Sequence, residues 1–165
     1  INVFSENLLV RSSITSKLSC GDLKKLVNDF AAFIKVLPKF RKGKIVVEAD
    51  DVLPQINMDA EQLQQVLLNL AMNAVEADAE ATITMKTQYD ILNNLVVLTV
   101  ADNGPGLDPR VKDRLLVEKV TTKENGHGYG LSICRKIVEN HRGKIKVDSV
   151  ACQGTTFTMS FPPAR

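Results

Sequence analysis

Apolar residues recur at helical spacing along three long stretches of the chain. Leu23, Leu26, Val27, Phe30, Phe33, Ile34 and Leu37 predict a helix that Gly21-Asp22 starts and Pro38 ends. Leu63, Val66, Leu67, Leu70 and Ala74 predict a second, reaching about Ala77, with Asp59 as N-cap and Gln62 three residues on in a capping-box arrangement. Leu131, Ile133, Cys134, Ile137 and Val138 predict a third over residues 129–140, and Pro109 opens a shorter one over 108–117. Strands are predicted at Lys44–Ala49, at Thr82–Thr87 and Val96–Val100 joined through the Asn93-Asn94 turn, and at Lys144–Val150 and Thr155–Phe161, where Pro162-Pro163 stops the last. Arg41, Lys42 and Lys44 form a basic turn, read as a solvated connector. Residues 1–20 are Ser-rich and predict no element. Strands are not followed one by one by helices, which excludes a doubly wound parallel sheet. The order predicts an α+β fold: two layers, a mixed, mostly antiparallel sheet of about five strands with helices on one face.

Composition narrows the class. A chain of 165 residues, 44% hydrophobic and 24% charged, is long enough for one domain with its own core. Disorder, collagen and a disulfide scaffold are excluded. Lys and Arg number 21 against 19 Asp and Glu, and a net charge of +2 gives no reason to invoke nucleic acid or an acidic membrane surface. Cys20, Cys134 and Cys152 are odd in number and form no C-x-x-C pair, so reduced thiols in a cytoplasmic setting are expected rather than zinc or disulfides. No apolar run approaches the ~20 residues of a membrane span. The chain opens at Ile1 and reads as a fragment of a longer protein, whose membrane anchoring stays open.

Three polar clusters stand out against this scaffold. Asn69 and Asn73 lie four apart on one face of the second helix, with Gln65 and Glu76 on the same strip. Asn is a poor residue inside a helix. Its amide can donate to phosphate oxygens, or its carbonyl oxygen can ligate a hard cation such as Mg²⁺; the alternative is a solvated face with two unremarkable amides. Asp102-Asn103-Gly104-Pro105-Gly106 follows an apolar strand. It can be an ordinary turn, or a carboxylate placed to accept from an exocyclic amine beside glycines that admit a flat ligand. Gly126-His127-Gly128-Tyr129-Gly130-Leu131 enters the third helix as G-x-G-x-G, neither a dinucleotide fingerprint nor a phosphate loop. It is either a flexible connection or a helix start offering N–H groups to phosphate, with Lys123 upstream able to reach the same phosphates.

In this order and on these elements, the clusters resemble the catalytic ATP-binding domain of sensor histidine kinases. The wider group takes in gyrase, the heat-shock chaperone ATPase and mismatch-repair ATPases. The runs DAEQLQQVLLNLAMNAVEA, DNGPGL, VTTKENGHGYGLSICRKIVENHRGKI and GTTFTMSFP carry the resemblance over about residues 59–162. It implies the Bergerat ATP-binding fold with ATP and Mg²⁺ as cofactors. Asn73 would coordinate Mg²⁺, and Asn69 would support the phosphates or a metal-bound water. Asp102 would accept the adenine amino group, assisted by Thr155 through a bound water, while Gly104 and Gly106 floor the pocket. Gly126, Gly128 and Gly130 would hinge a lid over the phosphates, with Leu131 leading the helix behind it. LVNDFAAFIKVLPKF also resembles the end of a dimerisation helix in nitrogen-regulation-type sensor kinases. Residues 1–40 are thus either a remnant of a dimerisation domain, with the ATP-binding domain at 41–165, or carry that domain's own first helix.

The chain departs from the family pattern in places. Leu115 to Val120 replaces a Phe-rich segment before Thr121-Thr122-Lys123, which bears on lid docking. His127 and Tyr129 replace a common Thr and Leu in the glycine run. Neither His127 nor His141 sits in a phosphoacceptor motif, and His141 reads as structural. The function implied is that of a protein-histidine kinase's ATP-binding portion: it donates the γ-phosphoryl group of Mg-ATP to a histidine on a dimerisation domain absent from this chain, with a response regulator as indirect partner. Asn69 stands where the ATPase relatives carry a general base, so hydrolysis is expected to be slow. The alternatives are a same-fold serine kinase of the anti-sigma-factor type, and a nucleotide-binding module without activity.

Overall fold

The computed structural model describes residues 14–108 and 128–165. Along the chain run β1 (Ser19–Gly21), α1 (Leu23–Lys35), a 3₁₀ turn (Pro38–Phe40), β2 (Lys44–Ala49), β3 (Ile56–Met58), α2 (Ala60–Ala77), β4 (Thr82–Asp90), β5 (Leu95–Asp102), α3 (Gly128–Asn140), β6 (Lys144–Val150) and β7 (Gly154–Phe161). Five strands form one sheet in the order β2-β4-β5-β7-β6. β2 and β4 are parallel, Lys44 opposite Thr82, and the crossover between them carries α2; the other pairs are antiparallel. The mixed, mostly antiparallel sheet expected from the sequence is therefore the one found. The expected helix over 108–117 lies outside the described residues.

Alternation in the strands sorts the sheet into two faces. Ile83, Met85, Val96, Leu98, Val100, Phe157, Met159 and Phe161 are buried under the helices. Thr84, Lys86, Thr99, Thr156 and Thr158 alternate with them on the opposite face. α1 adds Leu23, Leu26, Val27, Phe30, Ala31 and Ile34 to the same core, and α2 adds Leu63, Val66, Leu67, Leu70, Ala71, Ala74 and Val75. Each large side chain so buried contributes about 1.5–3 kcal/mol relative to exposure. Phe33 departs from expectation: it is 56% exposed, because the line through Phe30 and Ile34 faces the core and Phe33 falls about 80° off it.

Helix ends follow the local chemistry. The Asp22 carboxylate accepts from the Lys25 N–H, and the Asp59 carboxylate from the Gln62 N–H. The capping box at Asp59 is only half formed. The Gln62 side chain is engaged instead by the Ser16 hydroxyl and the Thr15 carbonyl, and the Asp59 N–H goes to His141. α1 stops at Lys35, and Pro38 opens the 3₁₀ turn rather than ending the helix directly. In the β4–β5 hairpin Asn94 takes φ 52°, and Asp90 accepts from the Asn93 backbone and side chain. The small β1–β3 ribbon was not expected; it pairs Ser19 with Met58 and Gly21 with Ile56.

Candidate functional site

The polar clusters gather where the end of β5, the start of β7, α2 and the start of α3 meet. Asp102 ends β5 opposite Thr155 of β7 and Ile83 of β4. Its Oδ1 accepts from the Gly104 N–H at 2.9 Å, which turns the chain out of the strand and leaves the carboxylate half-buried. Burial raises its pKa above the ordinary carboxylate value, and the nearby Asp78 carboxylate adds to the rise; the Gly104 and Thr155 N–H groups pull the other way. A carboxylate held in that state is a strong acceptor.

The loop after Asp102 is fastened at several points. Asn103 Oδ1 accepts from the Thr82 N–H at 2.8 Å. The Cys152 N–H donates to the Pro105 carbonyl at 2.8 Å. Ser149 Oγ accepts from the Leu107 N–H at 2.7 Å, donates to the Gly154 carbonyl at 3.2 Å and lies 3.2 Å from Thr155 Oγ1. Gly106 takes φ +82°, and a Cβ there would stand 2.7 Å from the Val150 carbonyl oxygen. Gly154 is tighter still, with φ +127° and a virtual Cβ 1.9 Å from the Asp102 carbonyl oxygen. Only glycine lets β7 come that close to Asp102. Sequence reasoning passed over Ser149, and gave Asn103 and Gly154 no role of their own. Ser149 had a signal: it is the polar residue at an inward position of β6, in line with Ile145 and Val147.

α2 carries the amide strip. Asn69 Nδ2 lies 3.5 Å from the Gly130 carbonyl and 3.8 Å from Cys134 Sγ, so both of its amide hydrogens point to α3. That leaves Oδ1, an acceptor, for any further partner. Gly130 touches the Asn69 amide: its virtual Cβ falls 3.4 Å from Asn69 Cγ. Leu131 is buried behind it. Asn73 is partly exposed and makes no hydrogen bond among the described residues. α2 ends at its C-cap Asp78, whose Cβ lies 3.7 Å from the virtual Cβ of Gly104. Asn69 to Asp78 spans about 13 Å, so α2 itself runs from the start of α3 to the Asp102 loop. Asn69 and Gly130 are in contact, as are Asp102, Gly104 and Thr155; Gly106 lies against Ser149, and Gly128 opens α3. Lys123 and Gly126, the 115–120 segment and His127 lie outside the described residues.

A divalent cation has few partners here. Among the described residues no three His, Cys, Asp or Glu side chains group as a metal site. Mg²⁺ keeps few protein ligands and takes phosphate oxygens and water for the rest. An Asn73 amide unpaired among the described residues, and an Asn69 Oδ1 not used in the Gly130 and Cys134 contacts, suit an ion brought in with a polyphosphate, and do not suit one held by the protein alone.

Comparison with known proteins follows the same lines. Residues 58–165 match the family model described as histidine kinase-, DNA gyrase B-, and HSP90-like ATPase. The chain is 36% identical over 146 residues to the sensor histidine kinase TmoS of Ectopseudomonas mendocina, covering 86% of this chain and 15% of that protein. It is 33% identical to the sensor histidine kinase ZraS of Escherichia coli strain K12, covering 97% and 34%. It is 37% identical to sporulation kinase A of Bacillus subtilis strain 168, covering 86% and 23%. The chain thus spans about a third or less of these relatives' lengths. Among solved structures, full-length ShkA in complex with AMPPNP superposes with a TM-score of 0.81 at 28% identity, covering 96% of this chain and 35% of that one. The catalytic domain of histidine kinase ThkA gives 0.75 at 27% identity, covering 89% and 96%.

Proposed function

This chain belongs to the histidine kinase-, DNA gyrase B- and HSP90-like ATPases, and from that premise we propose that it binds Mg-ATP and presents the γ-phosphoryl group to a histidine carried by a separate dimerisation domain. The observation that carries the reading is the meeting of two halves. A half-buried acceptor, Asp102, stands beside glycines at one end of α2, and an amide strip faces the glycine start of α3 along the rest. An adenine amino group would donate to Asp102, and the phosphates would lie along Asn73 and Asn69. Guanine presents a carbonyl oxygen there, and two acceptors repel.

Asn73 would hold Mg²⁺, which when bound neutralises phosphate charge. Asn69 has its donors turned to α3, so it would meet a metal-bound water through Oδ1 rather than a bare phosphate oxygen. Thr155 would support Asp102 through a water, with Ser149 holding its hydroxyl. Lys123, Gly126, Gly128 and Gly130 would close over the phosphates. Asn69 is itself no base for water, which favours transfer to an incoming imidazole nucleophile over hydrolysis. The dimerisation domain of a longer kinase is the proposed acceptor, and a response regulator the further partner; ThkA has been solved in complex with the response regulator TrrA. A setting inside the cell suits that role. Among the described residues no helix is long and apolar enough to cross a membrane. For residues 20–40 we favour the first helix of the nucleotide-binding unit, since α1 buries its apolar face in the shared core.

Titration calorimetry with a non-hydrolysable ATP analogue, with and without Mg²⁺, tests the reading. Mg²⁺-dependent binding is expected, with GTP excluded and the Mg²⁺ effect lost in Asn73→Ala. Labelled phosphate should then pass from ATP to a supplied histidine-bearing dimerisation domain. A folded chain that binds no ATP analogue would overturn the proposal.

A further inference from the structure

His141 follows α3 and is 3% exposed, outside the nucleotide-binding roles proposed above. Its ring joins two helices. Nε2 lies 2.9 Å from the Asp59 backbone N, ahead of α2, and Nδ1 lies 2.7 Å from the Ile137 carbonyl oxygen of α3. A backbone N–H can only donate and a carbonyl can only accept. The imidazole is therefore neutral, with its proton on Nδ1 and its lone pair on Nε2. Phe161 of β7 packs edge-on at 6.2 Å between centroids and fixes the ring plane. α2 and α3 run antiparallel, with His141 beside Asp59 at the start of α2 and Gly130, at the start of α3, beside Asn69 midway along α2. Between them Cys134 Sγ reaches the Val66 carbonyl at 3.9 Å.

Resting on the nucleotide-binding reading above, we propose that His141 is a positioning residue: a neutral strut between α2 and α3 that sets the spacing at which the Asn69 amide meets the glycine start of α3. The strut works in one protonation state only. A proton on Nε2 would face the Asp59 N–H, donor against donor, and open the helix pair at that end. The charged group acting on the ring is the Asp59 carboxylate, itself engaged by the Gln62 and Lys17 N–H groups; α3 presents a carbonyl and β7 an aromatic edge. Burial is the larger influence and lowers the ring's pKa below its usual 6.5.

Two substitutions separate the halves of the strut. His141→Gln keeps an acceptor for the Asp59 N–H, while His141→Asn keeps only a donor for Ile137. Nitrogen-15 spectra of the wild-type ring at pH 7.5 should report a protonated Nδ1 and a bare Nε2; the opposite tautomer would overturn the proposal. The Asn69 side-chain amide resonances should move in His141→Asn and return in His141→Gln. Affinity for the Mg-bound ATP analogue should fall about three- to tenfold in His141→Asn, the scale of one lost hydrogen bond, and recover in His141→Gln. If His141→Asn does not fold, acidification of the wild type serves instead. Lowering the pH until the nitrogen-15 spectra report a protonated Nε2 should shift the Asn69 resonances, and His141→Gln over the same range should show no such shift. Asn69 resonances indifferent to both changes would sink the strut. A wild type that binds no nucleotide would instead sink the function, leaving the ring and Asn69 resonances to judge the strut.

Discussion

Asp102 is a side chain whose usefulness and cost have one origin. Its folded-state pKa is raised, mainly by burial, so the folded protein holds its proton more tightly than the unfolded chain. The stability linked to this group is complete at low pH and is lost as pH rises through the raised value. Asp102→Asn keeps an oxygen for the Gly104 N–H and removes the charge. At pH 7 the variant should unfold at a higher temperature than the wild type, with the difference closing as pH falls towards the ordinary 3.8. The same variant should bind the ATP analogue roughly 10- to 100-fold more weakly, the scale of a hydrogen bond to a charged group. Calorimetry and thermal melts on one pair of samples read both effects. If Asp102→Asn were less stable at pH 7, the carboxylate would be a structural anchor rather than an acceptor held ready.

At the level of elements, β4 contains a local conflict. Thr87 is 1% exposed and its hydroxyl finds no partner among the described residues. Thr87→Val keeps the shape and removes the orphan oxygen, so denaturant unfolding should show a gain of about 1 kcal/mol. No gain would mean that the hydroxyl is satisfied in solution. Most elements were legible in the sequence because each is long enough to show its period. α2 announces itself through Asp59 and five apolar positions, and β7 through strict alternation. The β1–β3 ribbon was illegible for the opposite reason. Three residues show no period, and their partners lie more than thirty positions away. Gln62 was misread for a related reason. Its spacing from Asp59 is that of a capping box, but Ser16 and Thr15 claim its side chain, and no local pattern foretells them. The candidate site was marked in the sequence by residue type, in Asn69, Asn73 and Asp102. What joins its parts, the Gly154 approach and the His141 strut, depends on contacts between segments far apart in the chain.

For the whole molecule, one core gathers α1, α2, α3 and the inner face of the sheet. Its three thiols sample that core differently. Cys134 is buried, and burial pushes its pKa up to about 12, so it stays a protonated thiol. Cys20 and Cys152 are exposed. A thiolate-seeking reagent at pH 8 should label these two in the native protein and reach Cys134 only on unfolding. Mass spectrometry of the labelled peptides would read it, and fast native labelling of Cys134 would mean that the α2–α3 interface opens readily.

The closeness of Gly154 to Asp102 bears on how a library of variants of this chain would be interpreted. Position 154 should tolerate no replacement, alanine included, because any side chain would push β7 off the Asp102 carbonyl. In a growth selection it would rank with Asp102 itself, though it would touch no nucleotide. A map of intolerance drawn from such a selection would extend the pocket to a residue that only shapes its wall. The two positions part company on a melting curve: variants lost at Asp102 remain folded, whereas those lost at Gly154 do not.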